Sequence, residues 1–146
     1  MNIREKILVV EDEKSISHFI STVLNNNGYE AMQARSGAEA MSMISSHCPD
    51  LIILDLGLPD MEGVEVIKKI RTWSNMPIIV ISARSEDMDK IEALDAGADD
   101  YITKPFDSRL LVFRCNNLVN NRLKLQEYFT KQPTVETPVL ATNPLD

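Results

Sequence analysis

Four short apolar runs, each with the composition of a buried strand, recur along this chain at residues 7–10, 51–54, 78–81 and 101–103. A weaker run at residues 29–34 alternates between apolar and polar positions. The stretches between the runs carry apolar residues at steps of three and four, a period that predicts amphipathic helices. The first of these stripes consists of Ile16, Phe19, Ile20, Val23 and Leu24.

Five strand–helix units of this length predict an α/β fold with a doubly wound five-stranded parallel sheet, because parallel strands need crossover helices on both faces of the sheet. The continuous apolar runs are typical of central strands, and the alternating second strand belongs at an edge. The predicted strand order is therefore 2-1-3-4-5, a flavodoxin-like (βα)5 arrangement.

The last helix is predicted to begin near Asp107 and to continue beyond the ordinary length of such a domain. Its apolar stripe runs at steps of four and three as far as Phe129, with Arg122 as the one charged member, and a tail with three prolines follows from residue 132. We therefore expect a compact domain over residues 1–121 and a helical extension with a Pro-containing tail over residues 122–146. A pairing of two such extensions is an open alternative.

Charge and hydropathy narrow the range of partners. The chain has 146 residues and a formal net charge of −7, which argues against direct nucleic-acid binding by this segment. No apolar run approaches the roughly 20 residues that span a bilayer, and the N-terminal residues do not resemble a signal peptide. We expect a cytoplasmic protein without a membrane partner.

Polar residues follow four of the predicted strands, and these residues suggest one site. They are Glu11 and Asp12 after the first strand, Asp55 after the third, Ser82 after the fourth and Lys104 after the fifth. The carboxyl ends of parallel strands meet at one edge of a sheet, where ligands bind. Three neighbouring carboxylates need a counter-charge, and oxygen ligands of this kind favour Mg²⁺, or Mn²⁺ in its place.

Asp55 is the candidate nucleophile of this site, because an aspartate can accept a phosphoryl group as an acyl phosphate. The metal, Lys104 and the Ser82 hydroxyl would each bind one phosphoryl oxygen. Two other functions use the same groups. A magnesium-dependent phosphatase would also need an acid two residues after the nucleophile, where this chain has Gly57. A protein–protein adaptor of the same fold that is never phosphorylated would not need all of these groups.

Four segments resemble the receiver domain (CheY-like) of two-component response regulators: ILVVEDE (7–13), PDLIILDLGLPDMEG (49–63), PIIVISARS (77–85) and GADDYITKPF (97–106). The resemblance covers about residues 5–120. It implies that the chain is a phosphoacceptor switch, not an enzyme, with a histidine kinase as its phosphodonor. The implied roles are Asp55 as phosphoacceptor, Glu11, Asp12 and the backbone carbonyl of Gly57 as further Mg²⁺ ligands, Ser82 and Lys104 as phosphoryl contacts, and Tyr101 as the aromatic whose rotamer follows Ser82.

Within that family the chain is similar to regulators that carry a winged-helix DNA-binding domain, particularly those of potassium-uptake operons. This resemblance implies control of transcription and a homodimer formed on phosphorylation through helix four, strand five and helix five. The implied dimer residues are Lys90, an acid of the pair Asp99 and Asp100, and Arg114, although Leu110 stands where the family has a glutamate. The stretch FRCNNLVNNRLKLQEYF (113–129), together with the Pro-containing tail, also resembles the connector that follows receivers in hybrid sensor kinases with an AraC-type output domain.

Overall fold

The structure of the protein is a computed structural model that describes residues 3–131. Five strands alternate with five helices in it. The elements are β1 (Lys6–Val10), α1 (Lys14–Asn26), β2 (Glu30–Ala34), α2 (Gly37–His47), β3 (Leu51–Leu54), α3 (Gly63–Arg71), β4 (Ile78–Ser82), α4 (Asp87–Ala96), β5 (Asp100–Thr103) and α5 (Ser108–Lys131). No helix within these residues is long and apolar enough to cross a membrane.

The five strands form one parallel sheet in the order β2-β1-β3-β4-β5, so the predicted order and fold class are confirmed. The alternating strand β2 is at an edge, and all residues of the three central strands are buried except Lys6 at the start of β1. The register pairs Val10 with Leu54 and Ser82 with Thr103. The residues that follow these pairs therefore leave the sheet side by side.

Each face of the sheet supports its own apolar core, because alternate residues of every strand point to opposite faces. Residues such as Leu8 and Leu54 pack with α2, α3 and α4 on one face. Residues such as Val9 and Ile53 pack with α1 and α5 on the other. Full burial of a Leu, Ile or Val side chain contributes about 1.5–3 kcal/mol, so the two cores hold the carboxyl edge of the sheet in place.

Helix α5 is longer than the sheet that it covers. Its buried residues Leu111, Cys115 and Val119 recur at steps of four. Beyond them, Arg122 Nη1 donates a hydrogen bond of 3.0 Å to the backbone carbonyl of Asp50. Every described side chain from residue 123 to residue 130 is exposed. Helix α5 continues as far as Lys131, whereas the predicted tail from residue 132 lies outside the described residues. The domain boundary after residue 121 stays a prediction.

A chain that ends at Asn121 is expected to keep its fold and to lose only about 1 kcal/mol in its free energy of unfolding. The loss corresponds to the hydrogen bond of Arg122, since a net value near 1 kcal/mol is typical of such a bond. Urea unfolding measures the change. A chain that ends at Leu118 is the contrasting variant, because it also removes the buried Val119 and should lose clearly more. A loss of several kcal/mol in the chain that ends at Asn121 would show that the compact domain also needs residues beyond 121.

Candidate functional site

The carboxyl ends of four strands bring the polar residues of the site together. Glu11 and Asp55 directly follow the paired residues that end β1 and β3, and the backbone N–H of Asp55 donates to the carbonyl of Val10 at 3.0 Å. Ser82 ends β4, and its carbonyl accepts a hydrogen bond of 2.9 Å from the backbone N–H of Lys104. Ladder hydrogen bonds thus fix the Cα positions of these residues.

The acids Glu11, Asp12 and Asp55 form one cluster. One carboxylate oxygen from each lies within 4.8 Å of the others. Glu11 is buried, whereas Asp12 and Asp55 are partly open to solvent. An all-oxygen donor set with an open side fits Mg²⁺, which keeps several waters and takes one or two carboxylates.

Lys104 provides the positive charge of the site. Its Nζ is 2.9 Å from Glu11 Oε1 and 3.7 Å from Asp55 Oδ2. Burial favours the neutral amine, but the hydrogen bond to Glu11 and the charge of Asp55 outweigh it and raise the pKa of Lys104. The ammonium therefore stays charged and is bound more closely to Glu11 than to Asp55. The Lys104–Pro105 peptide bond is cis.

Asp55 has an unusual carboxyl group. Burial and the neighbouring charge of Glu11 raise its pKa from 3.8 to about 6, against the opposing effect of Lys104. Its Oδ1 is 3.5 Å from the backbone nitrogen of Gly57, so Gly57 lies beside the carboxylate. The assignment of the Gly57 carbonyl as a metal ligand stays a prediction.

Hydrogen bonds hold the loop between β3 and α3 at two points. Asp60 accepts hydrogen bonds of 2.8 and 2.9 Å from the backbone N–H groups of Gly37 and Ala38 at the start of α2. These hydrogen bonds lower the pKa of Asp60. The N–H of Gly63 donates to the carbonyl of Leu56 at 2.7 Å. The segment that carries Asp55 is therefore held against two helices.

Ser82 and Tyr101 both form hydrogen bonds with the backbone of Arg84. Ser82 is buried, and its Oγ accepts a hydrogen bond of 3.1 Å from the backbone N–H of Arg84. The hydroxyl of Tyr101 donates to the carbonyl of Arg84 at 2.7 Å. The Arg84 side chain pairs with Glu62 at 2.9 Å. This ion pair joins residues that are far apart in sequence, so it depends on the tertiary structure and could not be predicted from the sequence.

The residues predicted for a dimer surface lie on α4, on or directly before β5, and on α5, but their surroundings differ. Asp100 and Arg114 pair within the chain at 2.6 Å. Asp99 instead accepts hydrogen bonds from Arg71 Nη2 at 3.1 Å and from the backbone N–H of Ile78 at 2.8 Å. Lys90 is half-buried on α4. Asp100 is therefore the acid of the pair that shares a surface with Arg114.

Comparisons with known proteins agree with this geometry. The family model of the response regulator receiver domain matches residues 7–116. The KDP operon transcriptional regulatory protein KdpE of Escherichia coli (strain K12) is 52% identical over 100 residues, which are 68% of this chain and 44% of that protein. The transcriptional regulatory protein KdpE of Mycobacterium tuberculosis (strain ATCC 25618 / H37Rv) is 43% identical over 131 residues, which are 90% of this chain and 57% of that protein.

A solved structure, the receiver domain of the Francisella response regulator 1452, has a TM-score of 0.78 and 37% identity, and the match covers 82% of this chain and 99% of that one. The chain spans about half the length of the curated relatives that it matches. Receiver domains interact with histidine kinases, bind Mg²⁺ at an acidic pocket and act as signal transducers. The predicted fold and resemblance are both confirmed, and this chain belongs to the response regulator receiver domain family.

Proposed function

We propose that Asp55 accepts a phosphoryl group from a histidine kinase or a small phosphodonor and stores it as an aspartyl phosphate. The observation that supports this role most strongly is the position of Asp55 between a cation and two further acids. Its carboxylate lies 3.7 Å from Lys104 Nζ and within 4.8 Å of oxygens of Glu11 and Asp12. Positioning and charge neutralisation of this kind account for most of the catalysis of phosphoryl transfer.

The transfer begins with attack by one carboxylate oxygen of Asp55 on phosphorus. The bond from phosphorus to the leaving atom of the donor breaks, and the leaving atom keeps the electron pair. A pKa of about 6 leaves the Asp55 carboxyl mostly ionised at neutral pH, so no separate base is needed. Lys104 and the hydroxyl of Ser82 then bind two of the phosphoryl oxygens.

Glu11, Asp12, Asp55 and the carbonyl of Gly57 would hold Mg²⁺, or Mn²⁺ in its place. The bound ion supplies positive charge that stabilises the phosphoryl oxygens. Lys104 is closer to Glu11 than to Asp55, and so it must turn away from Glu11 to reach a phosphoryl group. Lys104 could make this movement if a second cation neutralised the buried carboxylate of Glu11.

Tyr101 and Ser82 form the proposed switch, because both bond to the backbone of Arg84 between β4 and α4. A phosphoryl group that draws Ser82 towards Asp55 changes this segment, and the change selects one of two packings of α4, β5 and α5. The resulting surface would pair two copies through Lys90, Asp100 and Arg114.

We also propose that the output is transcription. The curated relatives named above are transcriptional regulators, and this chain corresponds to about half of their length. A net charge of −7 disfavours direct DNA binding by this half. The DNA-binding function would then belong to another part of the protein or to a partner.

Intact-mass measurement after incubation with Mg²⁺ and acetyl phosphate tests the phosphoacceptor. The wild type is expected to gain the mass of one phosphoryl group, and Asp55→Ala is expected to gain none. Asp95→Ala, which removes an exposed aspartate from α4, is the matched control and should behave as the wild type does. Equal addition to all three proteins, or none to the wild type, would refute the assignment.

A further inference from the structure

An arginine side chain holds one end of α4 against the rest of the domain. Arg71 is the last residue of α3, and its guanidinium donates three hydrogen bonds. Nε bonds to the carbonyl of Gly97 at 3.0 Å, Nη1 to the carbonyl of Ser74 at 3.1 Å, and Nη2 to Asp99 Oδ2 at 3.1 Å. The Arg71 side chain is 20% exposed, so these bonds are largely shielded from water. The guanidinium therefore joins the end of α3 to the turn that ends α4.

The turn after α4 is also bonded to the sheet. Gly97 has a φ of +125°, and a Cβ atom built on it would lie 2.7 Å from Arg71 Cγ, so only glycine lets the backbone approach the arginine this closely. Asp99 Oδ2 accepts a second hydrogen bond of 2.8 Å from the backbone N–H of Ile78, and the Asp99 N–H donates to the Ile78 carbonyl at 2.8 Å. Since Ile78 begins the central strand β4, the C-terminal end of α4 is held by both α3 and the sheet.

The N-terminal end of α4 is held less firmly. In the described part of the chain, its N-cap residue Glu86 forms no side-chain capping hydrogen bond. Met88 in the first turn is 73% exposed, and Ala93, the one buried residue of α4, lies in the C-terminal half of the helix. The loop before α4 is bonded through its backbone to the switch residues Ser82 and Tyr101. Movement of these two residues would therefore act on the less firmly held end of the helix.

We propose that Arg71 is the pivot of the switch: it keeps the C-terminal turn of α4 in place, so that a phosphoryl group on Asp55 swings the helix about Gly97 instead of shifting it as a whole. The pivot rests on the proposed phosphoacceptor function and adds the direction of the movement that follows. Ile78 begins β4 and Ser82 ends it, so Arg71 acts at the edge of the sheet opposite the acceptor. It is therefore a positioning residue.

A pivot at one end predicts a graded displacement along α4. A helix rises ~1.5 Å per residue, so Met88 is about 13 Å from Gly97 along the axis and Asp95 is about 3 Å from it. Rotation about Gly97 moves each residue in proportion to that distance, whatever the angle. Met88 should therefore move about four to five times as far as Asp95.

The same rotation divides the predicted dimer residues into moving and fixed ones. Lys90 lies in the N-terminal half of α4 and would move with it. Asp100 begins β5 and pairs with Arg114 of α5 at 2.6 Å, so these two residues would stay in place. The two parts of the surface would then match a second copy in only one position of the helix.

Spin labels can measure this movement in the full chain, which has one exposed cysteine, Cys48, and one buried cysteine, Cys115. Met88→Cys or Asp95→Cys supplies an exposed label on α4. Cys48 at the end of α2 is one reference label, and His18→Cys on α1, in a chain with Cys48→Ser, is a second one on the other face of the sheet. Double electron–electron resonance gives each distance with Mg²⁺ alone and with Mg²⁺ and beryllofluoride, which mimics a phosphoryl group on a carboxylate. Residue 88 is expected to move about four to five times as far as residue 95.

Arg71→Met removes the three donors and keeps a side-chain stem beside Gly97. In this variant the displacements at residues 88 and 95 should become about equal, because both ends of α4 are then free to move. Lys68→Met is the matched control, since it removes one exposed positive charge from α3 and should keep the wild-type ratio. Phosphoryl uptake from acetyl phosphate, measured by intact mass, should be the same in both variants and the wild type.

The pivot is wrong if residues 88 and 95 move equally while Arg71 is present, because α4 then moves as a whole. This comparison does not depend on the folding of Arg71→Met. A wild-type ratio in Arg71→Met would show that other contacts hold the turn. Unchanged distances in a protein that takes up a phosphoryl group would refute the pivot only. A wild type that takes up none would refute the phosphoacceptor function as well.

Discussion

Replacement of Gly63 by alanine is expected to lower the free energy of unfolding by about 3 kcal/mol, at the upper end of the range for overpacked sites. A Cβ atom at this position would lie 2.7 Å from the carbonyl oxygen of Asp55 and 2.7 Å from the Cα of Leu56. Both contacts are with backbone, which cannot rotate away as a flexible side chain can. Relief would require α3 to move away from the loop that carries the acceptor.

Urea unfolding of the metal-free protein measures this loss, and titration with Mg²⁺ measures its effect on the site. We expect weaker Mg²⁺ binding, because displacement of the Asp55 backbone alters the acid cluster. Gly57→Ala is the matched control on the same loop, since its Cβ would find its nearest neighbour at an ordinary 3.8 Å. That variant should remain within about 0.5 kcal/mol of the wild type. A Gly63→Ala protein as stable as the control would show that α3 is free to shift.

Replacement of Asp55 by asparagine is expected to stabilise the metal-free protein by about 1–2 kcal/mol at pH 7. Burial and Glu11 raise the pKa of Asp55 from 3.8 to about 6, so the folded state binds this proton more tightly than the unfolded state does. A shift of about two pKa units corresponds to at most ~3 kcal/mol, and solvent at the open side of the site reduces this value. The amide removes the charge and its penalty.

The raised pKa of Asp55 determines the pH range over which the wild type and Asp55→Asn differ in stability. Below about pH 3.8 the carboxyl is protonated in both states, and it contributes no difference. As the pH rises from there to about 6, the unfolded state loses the proton first, so the wild type loses stability relative to Asp55→Asn. Above that range the difference is constant. Thermal or urea unfolding of both proteins in a pH series would measure this curve.

Mg²⁺ should reverse the order of stability. Ligand binding to the folded state alone stabilises it by mass action, and the wild type has the complete acid cluster. The stability difference should therefore shrink or invert as Mg²⁺ is added. Asp95→Asn, a change at an exposed aspartate of α4, should respond to pH and Mg²⁺ as the wild type does. An Asp55→Asn protein less stable than the wild type at pH 7 without Mg²⁺ would contradict the prediction that the ionised Asp55 carboxylate destabilises the folded state.

The fold and the candidate site differ in how far the sequence alone could predict them. The strands could be predicted because buried parallel strands require continuous apolar runs, and the site could be predicted because those runs end in polar residues at one edge. The ion-pair partner of Lys104 could not be predicted, because the strand order brings both Glu11 and Asp55 near it. The 2.9 Å contact with Glu11 depends on side-chain geometry. The pairing of Asp99 with Arg71 likewise joins residues far apart in sequence, and it depends on the position of Arg71 at the end of α3 beside the turn between α4 and β5.

Helix α4 buries fewer side chains against the rest of the domain than α3 does. A change at the site should therefore reach the surface through α4. Ala93 is its one buried residue, whereas α3 buries Val64, Val66, Ile67 and Ile70 as well as Gly63. A small methyl group contributes little burial energy, so we expect new contacts at Ser82 to displace α4 more easily than α3. We therefore expect α3 to keep the acceptor loop in place while α4 shifts in response to the site.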